Sequence, residues 1–201
     1  MELSELAKRA SKYVVGTEGN VSEYSGGSFL IKRSGTRLED CDFVGSDDPE
    51  ASIEASFHEA IYEISSCNFI CHTHPINLLK ILCSDQALRF SQIRLFPDHV
   101  VFNPDYCVVP YAHPGKQLTD QILRSASAFD KFPSVFLLEN HGLITYGTAK
   151  QAIIATEICE KAAEIYLSST SIDEIARISL GNEQIQAIKD DCKEKKRGSI
   201  R

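Results

Sequence analysis

Asn68-Phe69-Ile70-Cys71-His72-Thr73-His74-Pro75 is a short apolar run that ends in two histidines and a proline. Its length and bounded apolar character predict a β-strand buried on both sides, inside a layered domain whose sheet is covered by helices. Residues two apart on a strand point to the same side. His72 and His74 therefore face one way, and two imidazoles there can converge on one ion.

Upstream, the segment 46–66 (SDDPEASIEASFHEAIYEISS) predicts a helix. Asp48 is its expected cap, Pro49 suits the first turn and Glu50 favours the positive end. Ile53, Phe57, Ala60 and Ile64 are its expected buried stripe. Downstream, Val135–Leu138 (VFLL) and Leu143–Tyr146 predict two more strands, joined through Glu139-Asn140-His141-Gly142. That places a third histidine at a strand end, where loops carry functional groups. Three neutral imidazoles with an open fourth position form the ligand pattern of a catalytic zinc.

Thr148 and Gln151 have capping-box spacing. They are expected to open a helix reaching about Leu167, with Ile154, Ile158, Ala162 and Ile165 as its core. A helix is expected over 2–13, with Leu3, Leu6, Ala7 and Ala10 on one face. Residues 16–27 should be loop with a short strand. Strands are expected at Ser28–Lys32 and Cys107–Val109, with a turn at Ser34–Gly35. Further helices are expected at Asn77–Cys83 and Lys116–Ser127. Residues 85–106 carry no clear period. After Ser168 the chain turns polar, with short helices expected at 171–178 and 181–192 before the charged end KEKKRGSIR.

The chain has 201 residues, enough to bury roughly 70% of its unfolded surface. Its apolar fraction of 43% and charged fraction of 24% exclude disorder as the main state. A net charge of −7 argues against wrapping nucleic acid or binding an anionic membrane. No apolar run suits a membrane span, and MELSELAKRASKY lacks the core of a signal peptide. The expectation is a cytoplasmic protein. Seven scattered cysteines agree with a reducing compartment better than with a disulfide framework. No dinucleotide fingerprint or P-loop is present.

Five pieces, in order, resemble the class II aldolase/adducin family. They are Gly16-Thr17-Glu18-Gly19-Asn20-Val21-Ser22, Arg33-Ser34-Gly35, Ser52-Ile53-Glu54 with Phe57-His58, His72-Thr73-His74-Pro75, and Asn140-His141-Gly142-Leu143. Pro110-Tyr111 falls where the family has a Pro-Tyr pair. The match spans about residues 14–167. Residues 96–118 (FPDHVVFNPDYCVVPYAHPGKQL) look most like the aldolase part of aldolase–dehydrogenase fusions, and the chain would be the lyase part alone.

The resemblance implies a three-layer α/β/α fold with a central, mostly antiparallel sheet, assembled as a homotetramer with sites between subunits. It implies a domain over 1–170, followed by a helical extension and charged tail over 171–201. His72, His74 and His141 would hold a divalent metal, Zn2+ first, with Mn2+, Fe2+ and Co2+ also suited to imidazole ligands. Glu54 would be the acid/base group. Tyr111 would give a proton on the aldehyde side, reaching in from an adjacent subunit. Gly19, Asn20, Ser34, Gly35 and Ser52 would bind the phosphate of a sugar substrate.

The departures from the family are Ile53 for a second serine, Arg33 for a proline, and Glu18 in the Gly-Asn loop. Arg33 could replace the lost hydroxyl with charge if it points inward, and Glu18 would repel phosphate if aimed at it. His58 is expected to be a hydrogen-bonded support. His99 and His113 match no ligand position and are expected at the surface or in a supporting role. The implied activity is retro-aldol cleavage of a ketose 1-phosphate to dihydroxyacetone phosphate and an aldehyde. A dehydratase or decarboxylase would share the same site residues. The alternative from another class is a non-catalytic adducin-like interaction domain, in which the metal-binding histidines are missing.

Overall fold

The opening stretch becomes β4 (Phe69–Thr73), the middle strand of a seven-stranded sheet. The structure, a computed structural model, describes residues 1–169, 175 and 179–198, the last four as backbone only. The other strands are β1 (Asn20–Ser25), β2 (Ser28–Lys32), β3 (Phe43–Gly45), β5 (Tyr106–Val109), β6 (Val135–Leu138) and β7 (Gly142–Gly147). Their order across the sheet is β3-β2-β1-β4-β7-β6-β5. Every pair is antiparallel except β5–β6, so the sheet is mixed.

The helices are α1 (Leu3–Ala10), α2 (Ala55–Ile64), α3 (Ile76–Leu82), α4 (Ala87–Ser91), α5 (Pro97–Phe102), α6 (Lys116–Ala126), α7 (Ala149–Ser168) and α8 (Asn182–Gly198). Strand alternation sends successive side chains to opposite faces. Ile70, Phe136, Leu138 and Ile144 join Phe57, Ile61, Leu118 and Ile122 beneath α2 and α6. Val135, Leu137 and Leu143 face the other way and pack with Leu78, Ile81, Cys159 and Ala163 of α3 and α7. Val21 and Cys71 meet Leu6, Ala10 and Ile153 beneath α1 and α7. These layers are the expected α/β/α arrangement.

Several local expectations shift. The segment 48–51 is not helical. Asp48 instead accepts the Glu50 N–H at 2.8 Å, and Ala51 forms a bridge with Arg33. The Glu50 carbonyl accepts from the Ser34 N–H at 2.8 Å and the Ala51 N–H donates to the Asp48 carbonyl at 2.9 Å, and α2 begins only at Ala55. The buried face of α2 is consequently Phe57, His58, Ala60, Ile61 and Tyr62, while Ile53 and Ile64 are exposed.

Helix α7 has the expected capping box: the Gln151 N–H donates to the Thr148 hydroxyl at 3.2 Å. Its core face keeps Ala162 but otherwise runs through Ala149, Ala152, Ile153, Ala155, Thr156, Cys159, Ala163 and Tyr166. Small side chains let the helix approach the sheet closely. Ile154, Ile158 and Ile165 are displaced to half-buried flanks.

The 16–27 segment contributes a full strand, β1. Residues 85–106 supply α4 and α5. The helix expected at 171–178 lies outside the described residues, save Ile175, which is buried. The last helix continues to Gly198 instead of ending at 192. No helix among the described residues is long and apolar enough to cross a membrane.

Candidate active site

The three histidines expected to share a metal lie together. Their ligand atoms all fall within 4.8 Å of one another, and no other such cluster occurs among the described residues. Cys67 and Cys71 take no part.

His72 is carried by β4, fully buried. Its ring Nδ1–H donates to the Leu143 carbonyl at 2.9 Å on the neighbouring strand, which leaves Nε2 with its lone pair. His74 follows the strand end, and its backbone N–H is held by the Tyr13 carbonyl at 2.9 Å. Its Nδ1 faces the Glu18 carboxylate at 3.3 Å, so its Nε2 is also free. The two Nε2 atoms lie 3.1 Å apart with no proton left to place between them. Two facing lone pairs repel unless a cation lies beside both. The donor set therefore fits a divalent metal, and three imidazoles suit zinc and its neighbours. Burial, then the neighbouring rings, holds the His74 imidazole down to about 3, neutral as a ligand must be.

His141 comes from the three-residue turn between β6 and β7. Asn140 there is, among the described residues, the one non-glycine residue with a positive φ, +53°, a conformation asparagine tolerates. Its backbone N–H donates to the Leu82 carbonyl at 3.0 Å, which fixes the turn. The next residue, Gly142, has no room for a side chain. A Cβ there would lie 2.5 Å from both the Thr73 carbonyl oxygen and His74 Cδ2. Gly142→Ala must therefore displace the His74 ring. The expected outcome is zinc affinity weakened about 10–100-fold, read by competition with a chromophoric chelator.

Glu54 lies just before α2, buried, with its carboxylate across the open side of the cluster. Oε1 is 3.2 Å from His141 Nε2, and Oε2 is 3.3 Å from His72 Nε2. Burial alone would raise this carboxyl. The facing His72 and His141 rings and the Asn20 amide outweigh that and hold it below the usual carboxylate range. Asn20 Nδ2 donates to Glu54 Oε2 at 2.8 Å and to Ser52 Oγ at 3.2 Å. The Glu54 backbone N–H also donates to Ser52 Oγ, at 3.3 Å. With two bonds accepted, the Ser52 hydroxyl keeps its own proton for an incoming anion.

Asn20 reaches this place because β1 pairs it directly with His72. Gly19 precedes it at φ +63°, its Cα against the His72 carbonyl, where a Cβ would come to 2.7 Å. Ser34 and Gly35 form the turn after β2, and the Arg33–Ala51 bridge brings that turn beside the Ser52 segment. Gly35 takes φ +75° there.

Sequence reasoning missed Lys32. It is buried, and its ammonium donates to the Thr17 carbonyl at 2.6 Å and the Thr36 carbonyl at 2.8 Å. It thereby ties the Gly16–Gly19 loop to the Ser34–Gly35 turn and puts a cation beneath both. The available signal was a lysine closing an apolar strand. Arg33, by contrast, points outward and pairs with Glu50. Glu18 is aimed at His74 and the Val15 N–H.

Tyr111 stands on the loop after β5, 60% exposed, and its hydroxyl makes no hydrogen bond among the described residues. His113 is exposed, as expected. His99 is not at the surface. It is fully buried in a separate polar cluster, 2.7 Å from the Tyr106 hydroxyl. Burial there, with Arg94 nearby, pushes its imidazole down to about 3.

Comparison with known proteins gives the family and the fold. The family profile described as "Class II Aldolase and Adducin N-terminal domain" matches residues 2–167. An L-fuculose phosphate aldolase of Methanococcus maripaludis is 28% identical over 170 residues, covering 77% of this chain and 87% of that protein. An oxidoreductase of Bacillus subtilis, YuxG, is 26% identical over 108 residues, which is 54% of this chain and only 14% of that protein. The crystal structure of YgbL from Escherichia coli, described as an aldolase/epimerase/decarboxylase, superposes with a TM-score of 0.76 at 22% identity. It covers 92% of this chain and 95% of that one.

Proposed function

The chain belongs to the class II aldolase and adducin N-terminal domain family, as an enzyme of the class II aldolase type, and on that premise we propose that it cleaves a ketose 1-phosphate to dihydroxyacetone phosphate and an aldehyde. The observation that carries this reading is the Glu54 carboxylate set 3.2 and 3.3 Å from two of three converging imidazoles. His72, His74 and His141 would hold a divalent metal, with zinc the first choice. When bound, it supplies Lewis-acid stabilisation of the negative charge that develops on the ketone fragment's oxygens.

The chain's own groups do the rest. In the condensation direction, Glu54 takes a proton from the reacting carbon of the ketone fragment, and the Tyr111 phenol gives one to the aldehyde oxygen. Cleavage is the reverse, and the protons balance. Tyr111 is exposed on its own subunit, which suits a cyclic tetramer in which it enters a neighbour's site. The phosphate pole comprises Gly19, Asn20, the Ser34–Gly35 turn and Ser52. The Ser34 N–H is taken by the Glu50 carbonyl at 2.8 Å, so the turn offers an anion the Ser34 hydroxyl and the Gly35 N–H; Ser52 has a spare proton, and Lys32 supplies positive charge in place of the family's second serine. The free cysteines suit work in the cytoplasm.

The test is a panel of ketose 1-phosphates and their non-phosphorylated sugars with zinc-loaded protein, with dihydroxyacetone phosphate and aldehyde measured together. Equimolar release of both from one phosphorylated ketose is expected. Loss of water with no release of dihydroxyacetone phosphate would overturn the aldolase reading.

A further inference from the structure

A line of buried hydrogen bonds leads away from Glu54 through Asn20. Asn20 Oδ1 lies 2.5 Å from His58 Nε2, His58 Nδ1 lies 2.6 Å from Ser22 Oγ, and Ser22 Oγ lies 2.7 Å from the Tyr62 hydroxyl. Asn20, Ser22 and His58 are at most 2% exposed.

The direction of every bond follows from one end. An ionised carboxylate only accepts, so the Asn20 NH2 must face Glu54 and its oxygen must face His58. His58 Nε2 then donates, which leaves Nδ1 bare. Nδ1 accepts from the Ser22 hydroxyl, and Ser22 in turn accepts from Tyr62. Burial keeps the His58 ring neutral, as this pattern requires. The ring cannot tip, because it is stacked on Phe57 at 4.6 Å and lies parallel to Phe29 at 6.3 Å.

An amide does not pass a proton along without changing tautomer, so this line is an orienting device and not a proton path. We propose that His58 is a positioning residue: by donating from Nε2 to Asn20 Oδ1, it locks the amide that donates to both Glu54 and Ser52. This rests on the reading of Glu54 as the acid/base group and Ser52 as an anion ligand. Were the amide reversed, its oxygen would face the carboxylate. Ser52 would turn its proton inward and lose it as a donor to substrate. One ring thus sets the base and the phosphate pole together.

Two experiments test the inference. Long-range 1H–15N spectra of the zinc-loaded protein should show His58 as the neutral Nε2–H tautomer, unchanged between about pH 5.5 and 8.5. An Nδ1–H tautomer, or titration within that range, overturns the proposal. This arm needs no substrate, so its failure is distinct from failure of the aldolase reading.

The second experiment compares His58→Leu with His58→Gln, whose amide can occupy the Nε2 position and still donate. With metal content and folding checked, His58→Leu should lower kcat about 10–100-fold and weaken inhibition by inorganic phosphate about tenfold. His58→Gln should restore both to within a few-fold. A purely structural role would reduce the active fraction without moving the phosphate constant. His58→Leu equal to wild type, or a folded, metal-loaded His58→Gln as poor as His58→Leu, sinks the idea. If His58→Leu does not fold, the tautomer spectrum and His58→Gln still decide it.

Discussion

His141→Ala is expected to strip the divalent metal from the folded protein and abolish turnover. Elemental analysis of protein purified without chelator should fall from about one equivalent per chain to almost none. The loss follows from the geometry. The His141 imidazole is one of three donors within 4.8 Å, and two remaining imidazoles do not hold a divalent ion against bulk water. The fold should survive, because the turn is set by its backbone: the His141 N–H donates to the Leu138 carbonyl at 3.2 Å, and the Asn140 N–H to Leu82. Alanine keeps those bonds. His113→Ala, at an exposed histidine away from the cluster, should retain the full equivalent. Full metal in both variants would mean that the three imidazoles do not form the site.

Glu54→Gln should keep metal and fold and lose about 10²–10⁴ of turnover, the share general acid–base catalysis supplies. Glutamine has the same shape, and its amide oxygen can still accept from the Asn20 NH2, now at 2.8 Å. Helix α2 is not disturbed, since the Glu54 side chain makes no capping bond. What is lost is the ability to take up and release a proton at the open side of the histidine cluster. Steady-state rates on the ketose 1-phosphate found in the panel, with zinc content measured on the same samples, provide the test. Near-normal kcat in a zinc-loaded variant would remove Glu54 from the acid/base role.

Much of this site can be read along the chain, because its ligands sit on locally determined elements. The apolar run before His72 and His74 makes a strand in any context that buries it. The tight Leu138–Gly142 link presents His141 because the two strands beside it are strongly apolar. The capping box of α7 uses side chains three residues apart, and such local bonds form where the sequence places them. Layer order is legible for the same reason: runs such as VFLL must be covered on both sides.

Other features depend on what the chain meets after folding. The start of α2 could not be placed from Asp48 and Pro49, because the competing partner, Arg33 at the end of β2, lies far back in sequence. The face of α7 turns on which stripe meets the sheet: Ile153 and Tyr166 are buried there among small residues, while Ile154, Ile158 and Ile165 lie on its flanks. Neither Lys32 nor Arg33 announces its direction; only the loop carbonyls of Thr17 and Thr36 make the buried cation tolerable.

The line from Glu54 through Asn20 and His58 to Ser22 joins two elements more than thirty positions apart. Sequence determined which side chains are available as ligands, base and donors, since these follow from residue type and local spacing. Tertiary structure alone decided how the protons between them are arranged. Hydrogen-bond direction is a property of groups in contact, and those contacts exist only once β1, β4 and α2 have packed together.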